Sequence, residues 1–167
     1  EALDSLRLVR RDKGAGKWMA TDVDDSDWST IQVPGNWRTN GMDVNGVVWY
    51  RKDFEVPASM VGRHAKLYMG TLIDSDSVFV NGCFVGSTAY MYPPRKYNIP
   101  AGVLREGRNN ITVKLTANSA NGGFVEEKPY KIVGDEAEIN LVGTWKYRVG
   151  MNLNEAGKYV KRLANLK

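Results

Sequence analysis

Three short runs decide the fold of this 167-residue chain: Trp49-Tyr50-Arg51-Lys52-Asp53-Phe54-Glu55-Val56-Pro57, Asp74-Ser75-Asp76-Ser77-Val78-Phe79-Val80-Asn81-Gly82 and Gly107-Arg108-Asn109-Asn110-Ile111-Thr112-Val113-Lys114-Leu115. Apolar residues alternate with polar ones in these runs, and Asn, Gly and Pro break them. Runs of this kind are typical of the strands of an antiparallel sandwich. The sequence therefore predicts an all-β fold, a β-sandwich.

The pair Asn81-Gly82 marks the clearest hairpin, because Asn-Gly favours the two-residue type I′ turn. With that turn, we expect Val80 to oppose Cys83 and Val78 to oppose Val85 on one side of the ribbon. Phe79 and Phe84 are expected to oppose each other on the other side. The same pairing predicts that Cys83 is a small buried hydrophobe.

A single β-domain with a tail at each end is expected. We place a helical or linker segment over residues 1–17, the sandwich over 18–150 and a tail with helical periodicity over 151–167. The helical spacing is that of Leu3, Leu6, Leu8 and Val9 at one end and of Ala156, Val160, Leu163 and Leu166 at the other. Because the sequence starts at Glu1 without Met or a signal peptide, we expect it to be part of a longer protein.

Composition and charge argue against some classes of binding partner. The 23 basic and 19 acidic residues give a net charge of +4, and the basic residues are scattered, with the densest clusters near the two ends. Such clusters are typical of solvated tails, so we predict that the chain does not bind nucleic acid. No apolar run approaches the 18 or so residues of a membrane helix, so no membrane partner is expected. A single cysteine excludes an intrachain disulfide but does not decide the compartment.

Several motifs together resemble known carbohydrate-active proteins. The Trp49–Lys52 run before Val56-Pro57, the Val80–Gly82 hairpin and the Gly107–Val113 strand resemble the sugar-binding jelly roll of the β-galactosidase and β-glucuronidase family. Other segments resemble more closely the insert of the sialate O-acetylesterase family: 73–82, 86–88, 93–100, 121–124 and 141–147. This resemblance covers about Trp18 to Gly150 and implies a galactose-binding-like jelly roll.

In the esterase family such a jelly roll lies between the halves of a split SGNH-type catalytic domain. The resemblance therefore implies an exported protein, periplasmic or secreted, that removes O-acetyl groups from sialic acids or other glycans. The SGNH-type domain of the same parent chain would be the partner. This chain has no Gly-Asp-Ser nucleophile motif, no Gln-Gly-Glu block and no Asp-Xaa-Xaa-His pair.

The residues that could act in catalysis are also poorly suited to it chemically. A serine esterase needs a histidine base, and the single histidine, His64, is flanked by Arg63 and Lys66. Asp74 and Asp76 are two residues apart on a predicted strand, a spacing more typical of loop fixing or of contact with a neighbouring domain than of glycosidase carboxylates. We therefore expect that this chain alone is not an enzyme, although its parent is a hydrolase.

Clustered carboxylates raise the question of a metal. The segment with Asp22, Asp24, Asp25 and Asp27 offers oxygen ligands for calcium, but it lacks the glycine and the distal glutamate of an EF-hand loop. We interpret it as an acidic turn before the buried Trp28 and predict neither a metal nor a cofactor.

The best candidates for sugar contact are an aromatic loop and one tryptophan. Sugars are held by aromatic faces together with polar side chains. Tyr90, Tyr92 and Arg95 combine these groups in one loop, Trp37 lies in another, and Asp74 and Asp76 precede the hairpin. The alternative is that the loop covers a sandwich edge or docks the partner domain. The other tryptophans are expected to pack in the interior: Trp18, Trp28, Trp49 and Trp145.

The function predicted from sequence is therefore accessory. The domain would shape or assist glycan binding for a separate catalytic domain of a sialate O-acetylesterase-like carbohydrate esterase. Three alternatives stay open at this point. The chain could be the sugar-binding domain of a β-galactosidase-like glycoside hydrolase, a purely structural insert without a ligand, or an autonomous carbohydrate-binding module.

Overall fold

A computed structural model describes residues 1–165 of the chain. Its α-helices are α1 (Ala2–Val9) and α2 (Ala156–Ala164), and three single-turn 3-10 helices lie at Arg38–Asn40, Ala58–Met60 and Leu153–Glu155. Its strands are β1 (Ser29–Val33), β2 (Gly35–Asn36), β3 (Gly46–Val56), β4 (Ala65–Met69), β5 (Leu72–Ile73), β6 (Ser75–Val80), β7 (Cys83–Thr88), β8 (Lys96–Ile99), β9 (Gly107–Ala117), β10 (Gly123–Phe124), β11 (Tyr130–Val133), β12 (Glu138–Asn140) and β13 (Gly143–Asn152).

The strands form two main antiparallel sheets. One has six strands in the order β1-β13-β3-β9-β6-β7, and the other has four in the order β12-β11-β4-β8. A third, three-stranded sheet with the order β2-β10-β5 is made of two-residue strands. The predicted all-β sandwich is confirmed.

The core lies between the main sheets and is built from alternate residues of their strands. Val48 and Tyr50 of β3 face inward, as do Val113 and Leu115 of β9, and all four are buried. The four-stranded sheet contributes side chains such as Leu67 to the same apolar cluster. Because inward residues are two apart, the alternation seen in the sequence places one face of each strand in the core.

The outer face of the six-stranded sheet carries a second, smaller apolar cluster. Trp49 and Val47 pack there against Trp28, and Trp18 contacts the ring of Trp28 at a centroid distance of 5.2 Å. Arg51 is buried beneath the same segment, with Nε donating to Asp25 Oδ2 at 3.0 Å. The long segment before β1 therefore covers this face of the sheet. Trp18, Trp28 and Trp49 pack against one another there, as predicted.

The Asn81-Gly82 hairpin forms as predicted, with one irregularity. Both turn residues have positive φ, 49° and 78°, as a type I′ turn requires. Val80 opposes Cys83 and Phe79 opposes Phe84, but a β-bulge then shifts Val78 to face Gly86 rather than Val85. The prediction that Cys83 is buried is wrong: Cys83 is exposed, because β7 is the outer strand of its sheet.

The terminal helices contact each other. The helical periodicity predicted at the C-terminus includes Leu166, which lies outside the described residues. Within residues 1–165, the helices are too short and too polar to cross a lipid bilayer.

Candidate functional site

Several connecting segments meet at one end of the sandwich, which we call the loop end. It comprises residues 35–45, 70–74, 89–95 and 118–126. Backbone hydrogen bonds join these segments: Asp74 N donates to Thr116 O at 3.1 Å, and Trp37 N donates to Gly122 O at 2.8 Å. The Asn81-Gly82 turn lies at the opposite end of β6. The loop end therefore brings together residues from distant parts of the sequence.

A half-open groove of about 460 Å³ lies at the loop end. Its walls come from β2, β5, β10 and the residues that flank them. The lining residues are Asn36, Thr39, Ile73, Asn121, Gly123, Phe124, Val125 and Glu126.

The floor of the groove depends on close approach of two backbones. Gly123 pairs with Asn36 on one side and with Ile73 on the other. Its φ is +138°, and a Cβ at this position would lie 2.5 Å from Gly35 O and 2.7 Å from the Cα of Asn36. Only glycine tolerates that contact and that φ. Gly123 is therefore the residue that allows β10 to lie between β2 and β5.

A buried tyrosine supports the groove from below. The hydroxyl of Tyr130 donates to Val125 O at 2.6 Å and lies 3.0 Å from Thr71 O, so its single proton is within reach of two segments of the loop end. Burial raises the pKa of Tyr130 well above its usual value. The phenol is therefore neutral at physiological pH and able to donate.

The rim of the groove is polar and the floor is partly apolar. Asn36 Oδ1 accepts from Thr39 N at 2.7 Å, and Asn121 Oδ1 accepts from Arg38 Nη2 at 3.2 Å. These bonds use the amide oxygens, and among the described residues neither Nδ2 group has a protein acceptor. Ile73 supplies an apolar patch beside them. The arrangement suits a small ligand that accepts hydrogen bonds and presents an apolar face.

The second feature of the loop end is a pair of exposed aromatic rings. Tyr90 is 58% exposed and Tyr92 is 80% exposed. Their ring centroids lie 6.5 Å apart with planes tilted by 60°. Exposed aromatic side chains this close together form an apolar surface that is available to a ligand or a partner.

Arg95 belongs to the same loop, but its side chain points into the protein. It is buried, and its guanidinium is used by the protein: Nη1 donates to Met91 O and Pro93 O, both at 2.9 Å, and Nη2 donates to Asp74 O at 2.7 Å. The prediction that Arg95 contacts a ligand is therefore wrong in this structure. Arg95 braces the loop that carries the tyrosines.

Asp76 completes the brace from β6. Its Oδ1 accepts from Arg95 Nε at 2.7 Å, and its Oδ2 accepts from the Tyr97 hydroxyl at 2.6 Å. Burial raises the pKa of Asp76. The hydrogen bonds from Tyr97 and Arg95 act in the opposite direction but do not cancel this rise. Burial, followed by the hydrogen bond to Asp76, also raises the pKa of Tyr97. Neither the Asp76 nor the Arg95 side chain is exposed, so the predicted ligand contact of Asp76 is replaced by loop fixing.

Asp74 and Trp37 also form hydrogen bonds that hold the loop end in place. Asp74 is half-buried, and its backbone carbonyl accepts from Arg95. Trp37 is fully buried, and its Nε1 donates to the hydroxyl of Tyr50 at 2.7 Å. The predicted sugar contact of Trp37 is wrong, because the ring has no exposed face. It packs against Gly122, where a Cβ would lie 2.8 Å from the indole.

The acidic segment before β1 is held by cations. Asp25 binds Arg51 and Lys146, and Asp27 lies 2.9 Å from Arg148 Nη2. Asp24 Oδ1 accepts from Ser26 N at 3.0 Å, and hydrogen bonds from Ser26 lower the pKa of Asp24. This agrees with an acidic turn. Within residues 1–165, no three His, Cys, Asp or Glu side chains converge as metal ligands would.

Sequence reasoning missed the groove itself. Its polar residues belong to segments that carry no catalytic motif: Asn36, Thr39, Asn121 and Glu126. One signal was present: Asn121 lies in the Asn- and Gly-rich stretch 118–123, which is typical of loops with close backbone approach.

Comparison with known proteins places these features in a family context. A protein of Formosa agariphila that is provisionally named a β-glucuronidase is 25% identical over 134 residues. The match covers 72% of this chain but 12% of that protein, so this chain spans a small part of its relative.

Solved structures share the fold. A Ruminococcus gnavus β-glucuronidase superposes with a TM-score of 0.55 at 14% identity, covering 84% of this chain and 26% of that one. A glycosyl hydrolase family 2 member from Bacteroides cellulosilyticus gives a TM-score of 0.54 at 21% identity, covering 84% and 19%. Bacteroides uniformis β-glucuronidase 2 gives 0.53 at 21% identity, covering 77% and 15%.

The strongest assignment comes from a family profile. The profile described as "Beta-galactosidase second all-beta domain" matches residues 16–121. This match spans more than half of the chain and runs from the covering segment before β1 to the loop after β9. The chain belongs to the family of the β-galactosidase second all-beta domain.

Proposed function

We propose that this chain is a non-catalytic, accessory β-sandwich domain of a larger glycoside hydrolase of the β-galactosidase or β-glucuronidase kind. The observation that carries the proposal is the family match over residues 16–121. The sequence relative bears a β-glucuronidase name, and it is about eight times longer than the segment it shares with this chain.

The chemistry of the described residues supports an accessory role. His64, the single histidine, is exposed immediately before β4, with Arg63 and Lys66 close by in sequence. The Asp76 carboxylate forms a buried ion pair with Arg95 inside the sandwich. Glycoside hydrolysis requires two accessible carboxyl groups on opposite sides of the bond. We propose that the bond-breaking residues of the enzyme lie outside this chain.

The loop end supplies what an accessory domain needs to face a saccharide. The groove offers amide donors from Asn36 and Asn121 beside an apolar floor. Tyr90 and Tyr92 offer aromatic faces on the loop that Arg95 braces. We propose that this end lies toward the substrate and assists its binding.

The parent enzyme in this proposal differs from the one first expected. The motif resemblance to the sialate O-acetylesterase insert implied an SGNH-type esterase partner and acetylated sialic acid as ligand. The relatives named above are glycosidases, so the sugar-binding domain of a glycoside hydrolase accounts better for them. Export to the periplasm or the exterior stays a prediction.

Activity assays on two polypeptides test the proposal. The full-length polypeptide and this chain are each given aryl β-galactosides, aryl β-glucuronides and O-acetylated sialosides. We expect the full-length polypeptide to release the aglycone from one of the glycosides and the isolated chain to hydrolyse none of the substrates. Removal of acetyl groups by the full-length polypeptide, without glycosidase activity, would identify the esterase as the parent and overturn the proposal.

A further inference from the structure

A second groove lies at the end of the sandwich that carries the Asn81-Gly82 turn, away from the loop end. We call it the turn-end groove. Its volume is about 350 Å³, and it lies where the segment before β1 meets β3, the turn and the start of β9. Its charged lining residues are Arg51, Arg105, Arg108, Asp25 and Asp53. Three cations and two anions thus face the same space.

Both aspartates of the turn-end groove are already bound within the protein. Asp25 Oδ2 accepts from Arg51 Nε at 3.0 Å, and its Oδ1 accepts from Lys146 Nζ at 3.2 Å. Asp53 Oδ2 lies 2.6 Å from Arg108 Nη2, and its Oδ1 accepts from a side-chain amide of β9 at 3.0 Å. Each carboxylate oxygen of the groove lining therefore has a donor, so the aspartates offer little to a cationic ligand.

The arginines, in contrast, keep unused N–H groups. Arg51 is 2% exposed, and its Nε and Nη1 donate to protein acceptors. Its Nη2 has no acceptor among residues 1–165 and keeps contact with solvent. The Arg105 side chain is exposed and likewise finds no acceptor in the described part of the chain. Arg108 binds Asp53 through Nη2, so its other N–H groups are left for a ligand.

Unused guanidinium donors select the chemistry of the ligand. A guanidinium presents its N–H groups in a planar fork that matches the oxygens of a carboxylate or a phosphate. Arg51 is held by several hydrogen bonds, so it loses little side-chain freedom when a ligand binds. The charge of the lining is also positive, with three arginines against two aspartates. Both properties favour a ligand with negatively charged oxygen atoms.

We propose that the turn-end groove binds a small oxyanion, a sulfate, phosphate or carboxylate group, through Arg51, Arg105 and Arg108. Arg51 is the fixed donor, because it is buried and bonded on its other nitrogens. Arg105 and Arg108 are exposed, so their side chains can close onto the ligand. The oxyanion is either a free ion or the acidic group of a saccharide. This inference does not rest on the proposed function, which concerns the loop end.

A chemical-shift titration of this chain tests the proposal. The probes are sodium sulfate, sodium phosphate, sodium acetate and sodium glucuronate, each compared with sodium chloride at the same ionic strength. We expect saturable amide shifts at residues 21–25, 51–53 and 105–110, with a dissociation constant of about 10 mM or less for at least one probe. Tighter binding of glucuronate than of acetate would support an acidic saccharide as the source of the oxyanion. Tightest binding of sulfate or phosphate would support a free ion.

Substitutions in the groove separate specific binding from general attraction of anions. Arg105→Gln and Arg108→Gln should each raise the dissociation constant about threefold or more, because each removes a charged donor. Asp53→Asn should lower it, since the variant loses a carboxylate that competes for Arg108. The matched control is Arg63→Gln: Arg63 is exposed and paired with Asp135, as Arg108 is with Asp53, but it does not line the groove. It should leave the dissociation constant unchanged.

Two results would overturn the proposal. One is that every oxyanion shifts the amides no more than chloride does, up to about 100 mM, roughly ten times the expected dissociation constant. The other is that Arg105→Gln and Arg108→Gln bind the oxyanion as tightly as Arg63→Gln. These shifts are read at the turn end and do not depend on glycosidase activity, so failure of this inference is distinguishable from failure of the proposed function.

Discussion

Arg95 and Asp76 form an ion pair inside the sandwich, with Nε 2.7 Å from Oδ1 and neither side chain exposed. The same guanidinium binds the carbonyls of Met91 and Pro93. The pair thus connects β6 to the loop that presents Tyr90 and Tyr92. A fully buried ion pair is costly to break on one side, because the remaining charge is left without a partner.

Breaking this pair from one side should therefore destabilise the fold. We expect Arg95→Ala and Asp76→Ala each to lower the free energy of unfolding by about 3–5 kcal/mol, measured by urea denaturation. The double variant Arg95→Met/Asp76→Leu leaves no unpaired charge and should be less destabilised than either single variant. Single variants that lose less than about 1 kcal/mol would show that the brace is unimportant.

Substitution of Trp37 should destabilise the fold, whereas substitution of Tyr92 should leave its stability almost unchanged. Trp37 is buried on Tyr50 and Gly122, so Trp37→Ala should cost about 3–5 kcal/mol through cavity formation. Tyr92 is 80% exposed, so Tyr92→Ala should change stability by no more than about 0.5 kcal/mol. Thermal and urea unfolding check both values. A large loss of stability in Tyr92→Ala would mean that the ring packs against the protein.

Gly123 should be intolerant of any side chain. Its φ of +138° and its closeness to Gly35 O predict that Gly123→Ala costs about 1–3 kcal/mol, with loss of the β2-β10-β5 sheet. Gly157→Ala is the control. Gly157 lies in α2, and a Cβ at this position would have no neighbouring atom within 4 Å. That change should be neutral or slightly stabilising in chemical denaturation. Equal behaviour of the two variants would contradict the close approach described for Gly123.

Buried tyrosines should set the alkaline limit of stability. Burial raises the pKa of Tyr50, Tyr97 and Tyr130 above the usual value of 10.0. The unfolded chain then loses these protons first, so the stabilisation is complete below pH 10 and is lost as the pH rises through the folded-state pKa values. Each tyrosine should contribute a loss of about 1.4 kcal/mol per pH unit in that window.

Tyrosinate absorbance and unfolding curves measured over that pH range check this prediction. Tyr130→Phe should show a shallower loss of stability with pH than the unsubstituted chain. If all tyrosines titrate near pH 10 in the folded protein, the account of their burial is wrong.

The sequence predicted the strands well because their physical signal is local. Two-residue alternation in β3 and β9 and the Asn81-Gly82 turn depend on neighbouring residues, so they can be recognised without the structure. The bulge that moves Val78 opposite Gly86 could not be recognised in this way. It depends on packing across sheets, where the ring of Tyr97 fills the space that a side chain at 86 would need.

The candidate site was predicted only in part, for a similar reason. Tyr90 and Tyr92 are exposed in a loop, and their contact with a sugar stays a prediction. Trp37 and Arg95 were predicted to contact a sugar, which requires that their side chains be accessible. Burial of a loop residue depends on which distant segments meet it: Gly122 lies against Trp37, and Asp76 pairs with Arg95. Those contacts are not visible in the order of residues.

The central claim is that the loop end of this domain faces a saccharide, and a titration of the isolated chain tests it most directly. Amide chemical shifts are followed while methyl β-galactoside or methyl β-glucuronide is added. We predict saturable shifts at residues 36–39, 90–92 and 121–126, with a dissociation constant of about a millimolar, and their loss in Asn121→Ala and Tyr92→Ala. Shifts confined to other surfaces, or none with either glycoside, would contradict the account.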